Sequence, residues 1–383
     1  MLIATVPIAG FVWQTLNRWN RGPLGRLDFR VYYSAAAQHG PLYSYAYAVP
    51  MRGARPRPLQ LGFTYPPFAA LVMRPFTLMR VSTAEQLWFF VSVALTVVFA
   101  VLFAQAMPTS VSAFARGVVV ACVLVSMPVS LTLGFGQINA LIAVLVALEL
   151  VLIRRGSKLA GAGLGLATAL KITPAFIVVA LALAGRTRAA LMSVLAAVAA
   201  SVVATIVYPR DSWTYFTRTV FETRRVGRVT VVFNNSLRRV VSSLDLGHLA
   251  TILLWLLASL AVLGVVVYRS RLAWRNEDAL AALTLAALGS YLVSPISWGH
   301  HLYFVAPALG LLVVGRTEWW RWAIAVPGAL AVLDPLQGGQ GARYATWRIM
   351  LMVVLLFTLP INGDSPKRHA HEASRAVSVD TAE

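Results

Sequence analysis

Hydrophobic residues run along this chain in long blocks. A first apolar run, residues 1–16, is followed by a polar interval that ends at Phe63-Thr64-Tyr65-Pro66-Pro67. Beyond it, apolar runs recur at about 84–106, 113–133, 137–153, 159–184, 188–208, 248–268, 276–295, 299–315, 320–335 and 344–361. Each is long enough, or nearly so, for a membrane helix, which needs roughly 20 residues. The pattern predicts an all-α polytopic membrane protein. Residues 1–16 lack a basic leader and a small-residue cleavage site, so they read as a first transmembrane helix and not as a signal peptide. That helix is short for a full crossing, as it would be if the true start lay upstream.

Basic connectors orient the helices, because short loops rich in Arg and Lys stay cytoplasmic. The clear ones are Arg154 to Lys158, Arg186-Thr187-Arg188, Arg269 to Arg275, Arg316 to Arg321, and the tail with Lys367 and Arg368. Two of them bracket 159–184, so that run enters and leaves on one side. Lys171-Ile172-Thr173-Pro174 lies near its middle, and proline breaks helix geometry there. The expectation is a hairpin of two short helices with Lys171 near the turn, facing outside. By the same parity, residues 63–80 do not cross. Pro66, Pro67, Pro75, Arg74 and Arg80 suit a helix lying in the outer interface. Both termini then fall inside. A single membrane domain over 1–361 has external loops at 17–83 and 209–247, and 362–383 is a disordered cytoplasmic tail.

Composition sharpens this. The chain is 58% hydrophobic and 12% charged, against about 25% charged in an average soluble domain. The net charge of +19 is mostly arginine, with Lys158, Lys171 and Lys367 the only lysines. Arginines scattered at loop ends suit lipid head groups, with no nucleic-acid partner required. Cys122 stands alone, so no disulfide within the chain exists, and a buried structural thiol is expected.

Polar residues from distant parts of the sequence gather on the outer face: Asp28, Tyr32, Tyr33 and Tyr65, then Gln137 and Asn139, Lys171, Asn234 to Arg239, and Ser294 to His301. A transporter more often carries broken helices and polar groups at the midplane of two similar halves. No half-to-half repeat is visible, which speaks against a lipid or polyprenol flippase. Each candidate also has a plainer reading. Asp28 caps a helix or pairs with Arg26 or Arg30. Lys171 snorkels. Gln137 and Asn139 satisfy a helix turn. Arg238 and Arg239 are surface charge, and His300 and His301 make structural hydrogen bonds. Adjacent histidines do not share a helix face, and no further Cys, His or Asp cluster completes a metal site. Asn234-Asn235-Ser236 fits the N-glycosylation pattern but is discounted as an acceptor.

Six motifs in order carry a resemblance. They are Asp28-Phe29-x-Val31-Tyr32-Tyr33, Phe63-Thr64-Tyr65-Pro66-Pro67-Phe68-Ala69-Ala70, Gly136-Gln137-Ile138-Asn139, Lys171-Ile172-Thr173-Pro174-Ala175, Asn235-Ser236-Leu237-Arg238, and Ser294-Pro295-Ile296-Ser297-Trp298-x-His300-His301. Together, over about 27–315, they resemble glycosyltransferase family 87 of the actinobacterial GT-C class. Asn234-Asn235 departs from an expected Asn-Gln, and Gly299 stands where a hydroxyl residue is common. The resemblance implies a GT-C-type fold, and the loop parity gives it about 12 membrane helices, the hairpin pair included, and an interfacial helical first external loop. It implies a multi-pass plasma-membrane enzyme with its site on the extracytoplasmic face.

The reaction so implied moves mannose from polyprenyl-phosphate-mannose to a glycolipid or lipoglycan acceptor, with inversion to an α-1,2 linkage. Polyprenyl-phosphate-arabinose is the alternative donor. Asp28 becomes the catalytic base. Tyr32, Tyr65, Gln137, Asn139, Lys171, Asn235, Arg238, His300 and His301 become donor- or acceptor-binding groups. The lipid-linked sugar is a substrate, so no cofactor or metal is expected. The other external acids are Glu85, at a helix start favoured by the dipole, then Asp211, Glu222 and Asp245 among loop arginines, and Asp334.

Overall fold

The structure, a computed structural model, describes residues 10–12, 15–16, 26–38, 40–43, 46–49, 59–314, 318–333 and 342–361. Most of the expected first helix, Asp334 and the whole tail 362–383 lie outside the described residues.

The described part is almost entirely helical. Helix α1 (Leu27–Ala37) precedes a two-stranded antiparallel hairpin, β1 (Ala46–Val49) and β2 (Leu59–Gly62), with Ala46 opposite Gly62. This hairpin is the one element of the first loop that the apolar pattern did not predict. Helix α2 (Pro67–Met73) and a 3-10 turn at Arg74–Leu78 cover the segment expected to lie along the interface.

The body follows as α3 (Val81–Gln105), α4 (Ala113–Leu124), α5 (Met127–Phe135), α6 (Asn139–Arg154), α7 (Ala162–Leu170), α8 (Ala175–Leu183) and α9 (Thr187–Val207). The external segment 209–247 holds α10 (Pro209–Thr217), α11 (Thr223–Val226) and α12 (Leu237–Ser242). Last come α13 (His248–Arg275), α14 (Ala279–Val293), α15 (Val305–Val313), α16 (Trp319–Leu333) and α17 (Ala342–Thr358).

Among the described residues α3, α9 and α13 are long and apolar enough to cross a membrane. The pair α4 and α5 makes a fourth candidate, bent by 42°. The sequence pattern treated 113–133 as one unbroken run. It breaks at Ser126 because Pro128 sits in the first turn of α5, where its missing N–H costs nothing. The break expected near Pro174 is present, with Lys171 extended between α7 and α8. Apolar side chains such as Leu253, Leu257 and Leu260 stand exposed along α13, a surface suited to lipid.

Two cores organise the molecule. The larger gathers α3 to α9 and α13 to α17 around α14, which is buried from Ala279 to Leu292. The smaller joins α1, the hairpin, α2 and the start of α3 through Phe29, Tyr32, Phe63, Met73 and Trp88. Phe29 stacks on Trp88 with ring centroids 6.0 Å apart. This aromatic core holds α1 on top of the helical body.

Candidate active site

Gly136 brings the end of α5 tightly against Phe29 of α1. It ends α5 in the left-handed conformation, φ +68°, where an L side chain is strained. A Cβ there would lie 2.7 Å from Phe29 Cβ. Trp88 Nε1 donates to the Gly136 carbonyl at 2.9 Å and locks the contact. The next residue, Gln137, is thereby delivered beneath Asp28 and Tyr32.

The hydroxyls of Tyr32 and Tyr65 lie 2.8 and 3.0 Å from Gln137 Oε1 and 2.9 Å from each other. With both tyrosines on the amide oxygen, the Gln137 NH2 is left to donate, and it hydrogen-bonds the Asp28 carboxylate. Burial pushes the Asp28 carboxyl up to about 6, opposed by the Gln137 hydrogen bond and the positive charge of Lys171. Burial, with Asp28 next in effect, keeps the Tyr65 phenol above its ordinary range, so it stays a proton donor.

Arg26 and Arg30 do not serve as Asp28's ion-pair partners. Arg30 bonds Glu85, and Arg26 Nη1 lies 4.0 Å from the same carboxylate. Glu85 is 2% exposed, so the acid read as a surface dipole partner is a buried counter-ion. Asp211 accepts from Leu42 N at 2.8 Å and ties the first loop to α10. Glu222 pairs with Arg225 at 3.6 Å.

Lys171 closes the other side. Its Nζ donates to Asn139 Oδ1 at 3.1 Å, lies 2.8 Å from His301 Nε2, and sits 5.2 Å from the centre of the Tyr65 ring. The loop carrying the histidines is pinned by Asn234. The Asn234 amide donates to Val229 and Pro295 carbonyls and accepts from Ser297 N. Asn234 is wholly buried, which closes it to glycosylation in the folded chain.

These groups face one cavity of about 800 Å³. Asp28, Tyr32, Tyr65, Gln137, Lys171, His300 and His301 all line it. His300 Nε2 is buried and has no hydrogen-bond partner, which leaves it for a ligand oxygen. Gly299 packs where a Cβ would meet Met127 Sδ at 2.7 Å, so a hydroxyl residue there needs Met127 to move.

Three predicted residues stand off the cavity wall. Asn139 lies behind Lys171. Asn235 spends its amide N–H groups on the Phe233 and Ser297 carbonyls. Arg238 stacks on Trp255, 5.0 Å away. Conversely, Arg225 and Arg348 line the cavity and were not singled out. Arg348 is buried and donates from Nε to Asn235 Oδ1 at 2.8 Å, so Asn235 is its positioning partner. An arginine inside the apolar run 344–361 was the signal available. Among the described residues no group of three His, Cys, Asp or Glu side chains has metal-holding geometry.

An acid, a cation, unpaired imidazole nitrogen and phenol donors around an open apolar cavity are suited to activating a hydroxyl beside an anion. The family description of glycosyltransferase family 87 matches residues 63–295. A Mycobacterium tuberculosis protein named polyprenol-phosphate-mannose-dependent alpha-(1-2)-phosphatidylinositol mannoside mannosyltransferase is 32% identical over 288 residues, 70% of this chain and 65% of that protein. A Mycolicibacterium smegmatis protein of the same name is 31% identical over 389 residues, 91% of this chain and 87% of that protein. A Mycobacterium tuberculosis protein named for the pentamannoside reaction is 33% identical, covering 86% of this chain and 78% of its own length. No solved structure matches the chain. With more than half of its length matched, this membrane protein is a sugar-transferring enzyme and belongs to glycosyltransferase family 87.

Proposed function

We propose that the protein transfers mannose from polyprenyl-phosphate-mannose to a glycolipid or lipoglycan acceptor, in an α-1,2 linkage with inversion, on the outer face of the plasma membrane. The observation that carries the reading is Asp28, oriented by Gln137 and facing the same cavity as Lys171 and His300. The relatives' names, which specify a polyprenol-phosphate-mannose donor and a phosphatidylinositol mannoside acceptor, support it.

In this mechanism the acceptor hydroxyl attacks the sugar's C1 from the face opposite the phosphate. A C1–O bond to the acceptor forms as the C1–O bond to phosphate breaks. The hydroxyl proton passes to the Asp28 carboxylate, and the leaving electron pair goes out on the polyprenyl phosphate oxygen. One positioned base suffices, because a lipid phosphate is already a good leaving group. Lys171, His300 and His301 are the groups that receive the phosphate charge. Tyr32, Tyr65 and Gln137 hold Asp28. The apolar remainder of the cavity accommodates the first isoprene units.

The fold on this reading is of GT-C type, with about twelve membrane helices, both termini cytoplasmic and Lys171 at an external turn. The test is transfer of labelled mannose from polyprenyl-phosphate-mannose by purified protein in nanodiscs. Transfer from the arabinose-charged lipid in its place would reassign the donor, and absence of both would overturn the reading. A cysteine beside Lys171 in a Cys122-free background should react with thiol reagents added from outside. Reaction only after permeabilisation would invert the topology.

A further inference from the structure

The segment 209–233 has two faces with different chemistry. Its inner face builds one wall of the cavity through Tyr215, Thr219, Val220, Thr223, Arg225 and Val226. Its outer face carries Trp213, 74% exposed, Phe221, 76% exposed, and Phe216, with Arg210, Arg218, Arg224 and Arg228 exposed among them. The segment follows directly on α9, one of the candidate membrane spans, so it lies at a membrane boundary. Exposed Trp and Phe beside arginine is the composition of an element that rests in the head-group layer.

The outer face is strongly basic and the inner face anchors it rigidly. Four arginines stand on the outer face, and the segment as a whole has only two acids, Asp211 and Glu222. Both acids are already engaged, Asp211 by Leu42 N and Glu222 by Arg225. Tyr215, 2% exposed, packs on Tyr43 at 5.7 Å. Arg225 reaches inward to donate to the Tyr43 carbonyl, and its Nε is buried without a hydrogen-bond partner. On the far side Gly227 rests on Trp298, where a Cβ would come within 2.7 Å of the indole. The rim is thus held between the first loop and the histidine loop, with Arg224 and Arg228 exposed on its outer side.

We infer that this rim is the docking surface for the acceptor. The acceptor it fits is a membrane-anchored glycolipid whose head group carries a phosphodiester anion. Arg224 and Arg228 take the anion in the head-group layer, Trp213 and Phe221 lie along its acyl chains, and the glycan reaches over Arg225 into the cavity. The inference rests on the mannosyltransferase reading above, in which the acceptor is a glycolipid, and adds where on the protein that acceptor's anion docks. The donor phosphate belongs to the Lys171 side, so the two anions have separate cations.

The experiment compares two acceptors in nanodiscs of zwitterionic lipid. One is a diacyl mannolipid with a phosphodiester; the other carries the same mannoside on an uncharged alkyl chain. Arg224→Gln/Arg228→Gln should raise KM for the charged acceptor roughly 25-fold, as expected for two cations each worth about fivefold near an anionic head group. The variant's kcat, donor KM, uncharged-acceptor KM and melting temperature should stay within about twofold or a few degrees of the unsubstituted enzyme. Rising salt should raise the charged-acceptor KM of the unsubstituted enzyme and do so less in the variant. An unchanged charged-acceptor KM, or equal rises for both acceptors, overturns the inference alone. Failure of the unsubstituted enzyme to use either acceptor overturns the underlying reading as well.

Discussion

Asp28 and Glu149 are both carboxylates on helices of an apolar protein, and their surroundings could hardly differ more. Glu149 is 1% exposed, near the end of α6. Its oxygens accept from the backbone N–H groups of Gly161 and Leu164, the latter at 3.0 Å, so it staples the 155–161 turn to α6. Gly163 approaches so closely that a Cβ would lie 2.9 Å from Glu149 Oε1. Nothing is left for a ligand to use. Asp28 has a side-chain amide as its hydrogen-bonding partner, a cation close enough to be felt, and one side open to an 800 Å³ cavity. Burial alone therefore does not decide whether an acid can meet a ligand. What separates the two is whether the donors are fixed backbone groups that saturate the carboxylate, or side chains that orient it and leave a face free.

The comparison breaks or holds most sharply on a pair of isosteric changes. Asp28→Asn should cut transfer about 10²–10⁴-fold, the usual worth of a general base, with no loss of thermal stability. Near-normal turnover would return Asp28 to a structural role. Glu149→Gln should do the reverse. An amide cannot accept with both termini, and a buried donor left unmatched costs about 1–3 kcal/mol. A lower melting temperature with ordinary turnover per folded molecule is expected, measured by thermal unfolding in detergent beside the same transfer assay.

Lys171→Met comes next in size. A hydrogen bond to a charged group contributes about 1.5–3 kcal/mol, so donor KM should rise roughly 10–100-fold. Lys171→Arg should recover part of that, since a planar guanidinium does not fit the space between Asn139 and His301 as a compact ammonium does. Full turnover of Lys171→Met at limiting donor would make the lysine a snorkelling cation and leave the phosphate to the histidines.

Much of this was legible in the chain because membrane helices announce themselves by length. The observed α3, α9 and α13 begin within a few residues of the apolar runs that predict them. Proline made the break at Lys171 visible, since Pro174 cannot continue a helix from the residues before it. Pro128 gave the same signal at the bend between α4 and α5, but it sits among apolar residues that hide the interruption. The strands β1 and β2 were illegible because four-residue strands in a stretch rich in arginine and proline have no usable period. At the site, the residue types were legible and the pairings were not. Arg30 and Glu85 are separated by 55 positions, and no local pattern shows that Glu85 frees Asp28 from its neighbouring arginines. The motif marks Asn235 as a candidate ligand, and no local pattern shows that its amide oxygen accepts from Arg348 across 113 positions.

The smallest expected effect is a displacement of a pH profile. Asp28 lies on α1, outside the candidate spans, with its carboxyl raised by burial to about 6. A base works only when ionised, so transfer should be full above that value. It should fall tenfold per unit as pH drops through and below it, as an acid limb in kcat/KM. The Gln137 hydrogen bond favours the ionised carboxylate and opposes the effect of burial. Gln137→Leu removes that hydrogen bond, so the Asp28 carboxyl rises further and the acid limb moves to higher pH. Lys171→Met removes a favourable positive charge and should move the limb the same way. Glu149→Gln touches neither influence and should leave the limb where it is. Measuring kcat/KM from pH 5 to 8 in all four proteins tests the assignment without relying on an inactive enzyme. A limb that stays in place in Gln137→Leu would show that the titrating base is another group, and Glu222, the second acid on the cavity wall, becomes the candidate.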